Sequence, residues 1–220
     1  MTQTQYQLSD IQYLASNHAL DILGGFHPDE NDKTPETCKT LLLIGPGDGF
    51  WPHIQSSPEA KEEQKDPIDR WSVRVLTEIA KEIDATPAFP FGGPPYEPFY
   101  TWALRTGRVW SSPVMLAVHD THGLFVSFRG ALLLPYHIDL PAPPFRAPCE
   151  SCGKPCLTAC PVKALTGEGY DVVPCHSFLD TQEGAECMTT GCAVRRACPI
   201  GQDLRAPEQS AYHMSVFHKS

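Results

Sequence analysis

Between Cys149 and Pro199 the chain concentrates eight of its nine cysteines, and that stretch limits what the rest can be. Its first half reads Cys149-Glu-Ser-Cys152-Gly-Lys-Pro-Cys156-Leu-Thr-Ala-Cys160-Pro161. The second half supplies Cys175, Cys187, Cys192 and a closing Cys198-Pro199. Thiols this dense pair as disulfides, close on a single ion such as zinc, or hold a larger inorganic group. Disulfides need an oxidising compartment. The run Met-Thr-Gln-Thr-Gln-Tyr-Gln at the N-terminus has neither the basic head nor the apolar core of a secretion signal. No apolar run approaches the roughly 20 residues of a membrane span. A cytoplasmic setting is therefore expected, where thiols stay reduced and a dense cysteine set means metal or redox work.

Both halves end in Cys-Pro. In bacterial two-cluster ferredoxins a short cysteine run holds one [4Fe–4S] cluster with three thiolates, and the Cys before Pro serves the other cluster. A cubane takes its four thiolates from different directions, which a short run cannot supply alone, so the motif comes in two halves. Eight cysteines then match two [4Fe–4S] clusters. The spacings depart from the regular two, two and three intervening residues. The first run has two, three and three; the second has four between Cys187 and Cys192 and five before Cys198. A zinc-stabilised binding protein, with Cys₄ sites on short spacers, stays open as an alternative, although neither zinc nor a disulfide calls for the proline.

The remaining sequence reads as a domain in front of this module. Residues 9–16 predict a helix capped by Ser9 or Asp10, and residues 19–26 a strand. Residues 27–38 are polar and predict a surface loop. Thr40-Leu-Leu-Leu-Ile-Gly45 predicts a buried strand running into a tight strand-to-helix turn over Gly45-Pro-Gly-Asp-Gly49, which matches no phosphate-binding loop. Residues 57–65 are charged and read as solvated. Asp66-Pro67 begins the longest helix, with Asp66 as its cap and Ile68, Trp71, Val75, Leu76, Ile79 and Ile83 as its apolar stripe. Residues 87–98 are rich in proline and aromatics and predict irregular backbone, followed by a helix over 99–106 ended by Gly107. Residues 113–119 and 123–134 predict a β-hairpin across Asp120–Gly123. Residues 201–210 read as a loop, and 212–219 as a helix folded back or a free tail. The net charge of −9 argues against a nucleic-acid surface. The fold class expected is α+β, with a mixed sheet-and-helix domain over residues 1–140 and a small bacterial-ferredoxin-like two-cluster domain over 141–220.

Two family resemblances bear on this layout. Cys160-Pro-Val-Lys-Ala-Leu165, Cys175-His-Ser-Phe-Leu179 and the closing group with Cys198-Pro199 resemble the double-cluster module of epoxyqueuosine reductases and corrinoid reductive dehalogenases. Gly123-Leu-Phe-Val-Ser-Phe-Arg-Gly-Ala-Leu-Leu-Leu-Pro135 and Asp66-Pro-Ile-Asp69 resemble the cobalamin-processing, decyanating chaperones, which have a nitroreductase-like fold and no clusters. The first resemblance implies one cluster on Cys149, Cys152, Cys156 and Cys198, and another on Cys160, Cys175, Cys187 and Cys192. Together they imply a nitroreductase-like, cobalamin-chaperone-like first domain and an iron–sulfur oxidoreductase relaying electrons to a corrinoid. A flavodoxin- or ferredoxin-type protein would be its electron donor, with neither nucleic acid nor membrane as partner. Arg129, Tyr96, Trp110 and His119 would line the corrinoid, laid across the 123–135 strand. An electron carrier without corrinoid is the simpler version. Epoxyqueuosine reductases carry a proton-donating aspartate before the helix corresponding to 99–106. Here that stretch offers only Glu97 as the nearest carboxylate, and the tRNA-binding extension is missing, so tRNA is not the expected substrate. Cys38 stands outside the pattern and reads as a small buried residue.

Overall fold

The computed structural model describes residues 5–204 and 206–219. In chain order the elements begin α1 (Leu8–Ser16), β1 (Leu20–Phe26), β2 (Thr40–Pro46), α2 (Phe50–Ser56), α3 (Pro58–Lys61), α4 (Pro67–Glu82) and β3 (Thr86–Ala88). They continue α5 (Phe99–Arg105), β4 (Val109–Ser111), β5 (Ala117–His119) and β6 (Gly130–Leu134). A 3₁₀ turn (Pro155–Leu157), β7 (Leu165–Thr166) and β8 (Gly169–Tyr170) follow, then α6 (Val172–Leu179), α7 (Ala185–Thr190), α8 (Ala193–Arg196) and α9 (Pro207–His218). The fold is mixed α+β, with small antiparallel sheets and helices.

The chain divides into two compact units. The first runs to Arg108 and takes in Ser127–Pro143; the second comprises Val109–Val126 and everything from Pro144 onward. The division near residue 140 therefore comes with an excursion: residues 109–126 leave the first unit for the second.

The first unit is built on a four-stranded sheet in the order β1-β2-β6-β3, antiparallel throughout. Its central strands explain themselves. Leu41–Ile44 and Ala131–Leu134 are apolar at every position, so both faces of the strand must be covered, and all eight residues are buried. One face packs Leu42, Ile44, Leu132 and Leu134 against Ile11 and Ala15 of α1 and Trp71, Val75, Leu76 and Ile79 of α4. The α4 stripe is the one its sequence spacing predicts. Pro67 occupies its first turn, but Asp66 sits at φ 53° and its side chain caps nothing. At α1 the cap is Gln7, whose backbone N–H donates to the Asp10 carboxylate at 2.8 Å.

Three expectations need correction. The stretch 57–65 is not wholly solvated: it contains α3, whose Glu59 is buried and paired with Arg74 (Arg74 Nε to Glu59 Oε1, 2.6 Å). The 27–38 loop is anchored, because Asp32 is buried and takes a two-pronged bond from Arg105 at 2.8 and 3.0 Å. The predicted hairpin does not form. Ala117–His119 pairs with Val109–Ser111 upstream, and the Asp120–Gly123 turn closes only the bridge between His119 and Gly123. Gly130–Leu134 pairs with β2 and β3 instead. A run that is apolar on both faces belongs at the centre of a covered sheet, which a two-stranded hairpin cannot offer.

Candidate metal centre

The second unit has little conventional core, and its cysteines form much of it. Cys156 and Cys198 are buried together with Val114, Val118, Leu124, Leu165 and Val194, with Cys149, Cys160 and Cys192 packed against the same cluster. Cys187 is buried with Leu179 and Met214, with Cys175 and Cys192 alongside. All nine cysteines are free thiols.

Several of the thiols lie close enough to act on one another electrostatically. Burial raises the Cys149 pKa, and Cys152, Cys156 and Cys198 raise it further. Burial, Cys152 and Cys198 do the same to Cys156. Cys175 is pushed up by burial first, held back by a hydrogen bond from Tyr170, and raised again by Cys192, Cys160 and Cys187. Packing does not divide them so cleanly, since Cys160 and Cys192 also lie against the cluster that contains Cys156 and Cys198. Among the described residues no three or more His, Cys, Asp or Glu side chains are gathered as ligands of a single metal ion.

Local backbone serves these thiols. The N–H of Lys154 donates to Cys152 Sγ (3.3 Å), the N–H of Ala164 to Cys160 Sγ (3.2 Å) and the Tyr170 hydroxyl to Cys175 Sγ (3.3 Å). Lys154 and Lys163, the residues that turn the chain around the first run, adopt positive φ (54° and 53°). Cys192 is the N-cap residue of α8, and α9 packs on α7, which carries Cys187. An open cleft lined by Ser111, Ser112, Pro113, Glu150 and Lys154 borders Cys149.

Sequence reasoning missed the role of Gly123. It adopts φ +55°, and a Cβ there would collide with the Ile200 carbonyl and come within 3.0 Å of Cys198 Sγ. The turn between β5 and Gly123 therefore lies directly against the closing Cys-Pro. The His119 ring, fully buried, accepts the N–H groups of Thr121 (3.1 Å) and His122 (3.3 Å) at Nδ1 and so shapes that turn. The signal in the sequence was Gly123 itself.

The proposed corrinoid-lining residues divide between the units. Trp110 and His119 belong to the second, Trp110 packed against the thiol-bearing core. Arg129 and Tyr96 belong to the first, with Tyr96 66 % exposed on the proline-rich loop. They do not make one site within either unit. The Arg129 guanidinium is partly buried and donates to Asp69 (3.3 Å) and to the Phe128 carbonyl (3.1 Å). Burial lowers its pKa and raises that of Asp69, while their mutual attraction opposes both shifts. Of the tail histidines, His218 donates from Nε2 to the Asp180 carboxylate (2.8 Å), with its ring 5.4 Å from that of His176, and His213 is exposed. Comparison with known proteins finds no matching family model, no similar curated protein and no similar solved structure.

Proposed function

We propose that this protein is an iron–sulfur redox protein whose second unit holds two [4Fe–4S] clusters. One would sit on Cys149, Cys152, Cys156 and Cys198, and the other on Cys160, Cys175, Cys187 and Cys192. The observation that supports the reading is that eight free thiols lie in the second unit, Cys149 under the influence of Cys152, Cys156 and Cys198, and Cys175 under that of Cys192, Cys160 and Cys187. When bound, such clusters supply one-electron transfer at low potential, which no side chain here can perform. The chain's own contribution is to hold the thiols out of water, to direct N–H and O–H groups at sulfur, and to leave an open face beside Cys149. An electron-donor protein of the flavodoxin or ferredoxin type is the proposed partner at the donor side.

The proposed acceptor is a corrinoid on a nitroreductase-like first unit. Its support is that two separate stretches resembling the cobalamin-processing chaperones, Asp66–Asp69 and Gly123–Pro135, meet through the Arg129–Asp69 pair.

The test is an electron paramagnetic resonance titration of anaerobically reconstituted protein with cob(II)alamin, with iron and acid-labile sulfide measured on the same sample. Iron and sulfide for two cubanes, signals on dithionite reduction, and a cob(II)alamin spectrum altered by binding are expected. Reducible clusters beside an unaltered cob(II)alamin spectrum would leave an electron carrier. Stoichiometric zinc without sulfide would overturn the redox reading.

A further inference from the structure

Within the second unit, α6 and α9 bring two imidazoles together. His176 lies on α6, His218 is the last residue of α9, and their ring centres stand 5.4 Å apart with the planes at 83°. His218 Nε2 donates to the carboxylate of Asp180, the residue that ends α6, at 2.8 Å. That bond places the ring proton on Nε2 and leaves a lone pair on Nδ1. His218 Nδ1 is buried and has no hydrogen-bond partner, and the same holds for His176 Nε2. Buried ring nitrogens are ordinarily satisfied, so a pair of them on adjoining rings calls for a shared partner. The Phe217 ring, 4.6 Å from His176, is at best a weak acceptor and offers nothing to a lone pair.

Distance separates the two simplest partners. Zinc lies about 2.0–2.1 Å from an imidazole nitrogen, and so roughly 3.2 Å from the ring centre. Two rings turned to one such ion with centres 5.4 Å apart subtend roughly 115° at the metal, near the tetrahedral angle. A water about 2.9 Å from each nitrogen would have to bridge the same rings at roughly 85°, well inside its own tetrahedral angle. The Asp180 bond fits the same reading, because a carboxylate on the outer nitrogen of a ligating histidine fixes its tautomer and raises its basicity. His176, as the Nδ1–H tautomer, presents a second lone pair at Nε2. No third His, Cys, Asp or Glu joins them as a ligand among the described residues. The His218 side chain is 22 % exposed, so the remaining coordination positions fall to water.

We propose that His176 Nε2 and His218 Nδ1 bind one divalent cation of the zinc type, which clips the end of α9 to α6, with Asp180 positioning the His218 ring. Imidazole nitrogens suit zinc, copper and nickel rather than magnesium or calcium. The site uses none of the eight thiols and does not depend on what they hold. Its effect on them is indirect: α9 packs on α7, and its Met214 is buried with Cys187, so fastening the end of α9 keeps that thiol covered.

The experiment is a calorimetric zinc titration of the full-length, anaerobically reconstituted protein, with iron and zinc per chain counted on every sample after desalting. The wild type is expected to take up one zinc beyond its iron. His218→Phe, which keeps an aromatic ring at the end of α9, is expected to lose that ion. Asp180→Asn is expected to weaken the same binding event by about 10–100-fold, and it decides the matter if His218→Phe does not hold iron. His213→Ala, exposed on the same helix, is expected to leave it unchanged. In a chain that takes up no iron, zinc also enters the cysteines, and the expected result is one ion fewer per chain in His218→Phe than in the wild type. Equal zinc uptake by wild type and His218→Phe, or none by the iron-loaded wild type, would overturn this inference. Neither result bears on the two-cluster reading, which iron and sulfide test separately.

Discussion

Cys38 and Cys149 are both shielded thiols, and their surroundings set them apart. Cys38 lies apart from the other thiols, donating to the Thr40 carbonyl at 3.4 Å, and burial pushes its pKa to about 11. At pH 8 only about one such thiol in a thousand is ionised. Cys38 is therefore expected to stay unmodified by iodoacetamide in the native protein and to react on denaturation, as peptide mass spectrometry would show. Asp32 is the residue-scale surprise of the first unit. Its carboxylate holds Arg105, and its carbonyl accepts from Trp102 Nε1 at 2.7 Å. Asp32→Ala should cost about 2 kcal/mol in urea unfolding, less than for a fully buried pair because Arg105 remains partly exposed. The bond joins residues 73 apart in the chain, and no local pattern announces such a partner. The same holds for Arg129 and Asp69, which look unrelated until the sheet brings them together.

Glu59 supplies the pH dependence at this scale. The hydrogen bond from Arg74 is the largest influence lowering its pKa, against burial. Its contribution is thus fully present above the ordinary glutamate value and is lost as pH falls through the lowered one. Glu59→Gln should reduce stability at pH 7 by up to about 1 kcal/mol, since Arg74 is exposed. It should also flatten the decline in melting temperature on the acid side, which calorimetry at several pH values would measure.

Among the elements, those with strong periodicity were legible and those defined by a partner were not. The α4 stripe, the β1 and β2 strands and the helix ended by Gly107 follow from spacing, capping and apolar runs. Strand β6 was visible as a strand, but its neighbours were not, because alternation and β-branching describe a face and say nothing of which edge it meets. What decides is space at the ends. At Gly130 a Cβ would collide with Leu76 of α4 and come within 2.9 Å of the Ala88 carbonyl, so helix and strand close on each other there. Leu76→Ala should cost about 2–5 kcal/mol, and Gly130→Val should destabilise the first unit comparably by overpacking; urea titrations would test both. In the cysteine stretch, spacing that looks irregular in sequence is taken up by the short helices α7 and α8, which carry the chain from Cys187 towards Cys198.

For the whole molecule, the contrast is between a unit with a conventional core and a unit whose core is partly thiol. On the proposed two-cluster reading, removing iron with a chelator under reducing, anaerobic conditions should loosen the second unit while the sheet of the first persists. Hydrogen exchange would show this as lost protection in residues 172–198, with protection retained over 40–46 and 130–134. Uniform loss across both would show that the units unfold as one.

The excursion of residues 109–126 has a consequence for how the molecule can be divided. The backbone passes between the units three times, after Arg108, after Val126 and after Pro143. No single protease cut can release either part, and a gene truncated after residue 143 would still encode Val114, Val118 and Leu124, stripped of the partners that bury them.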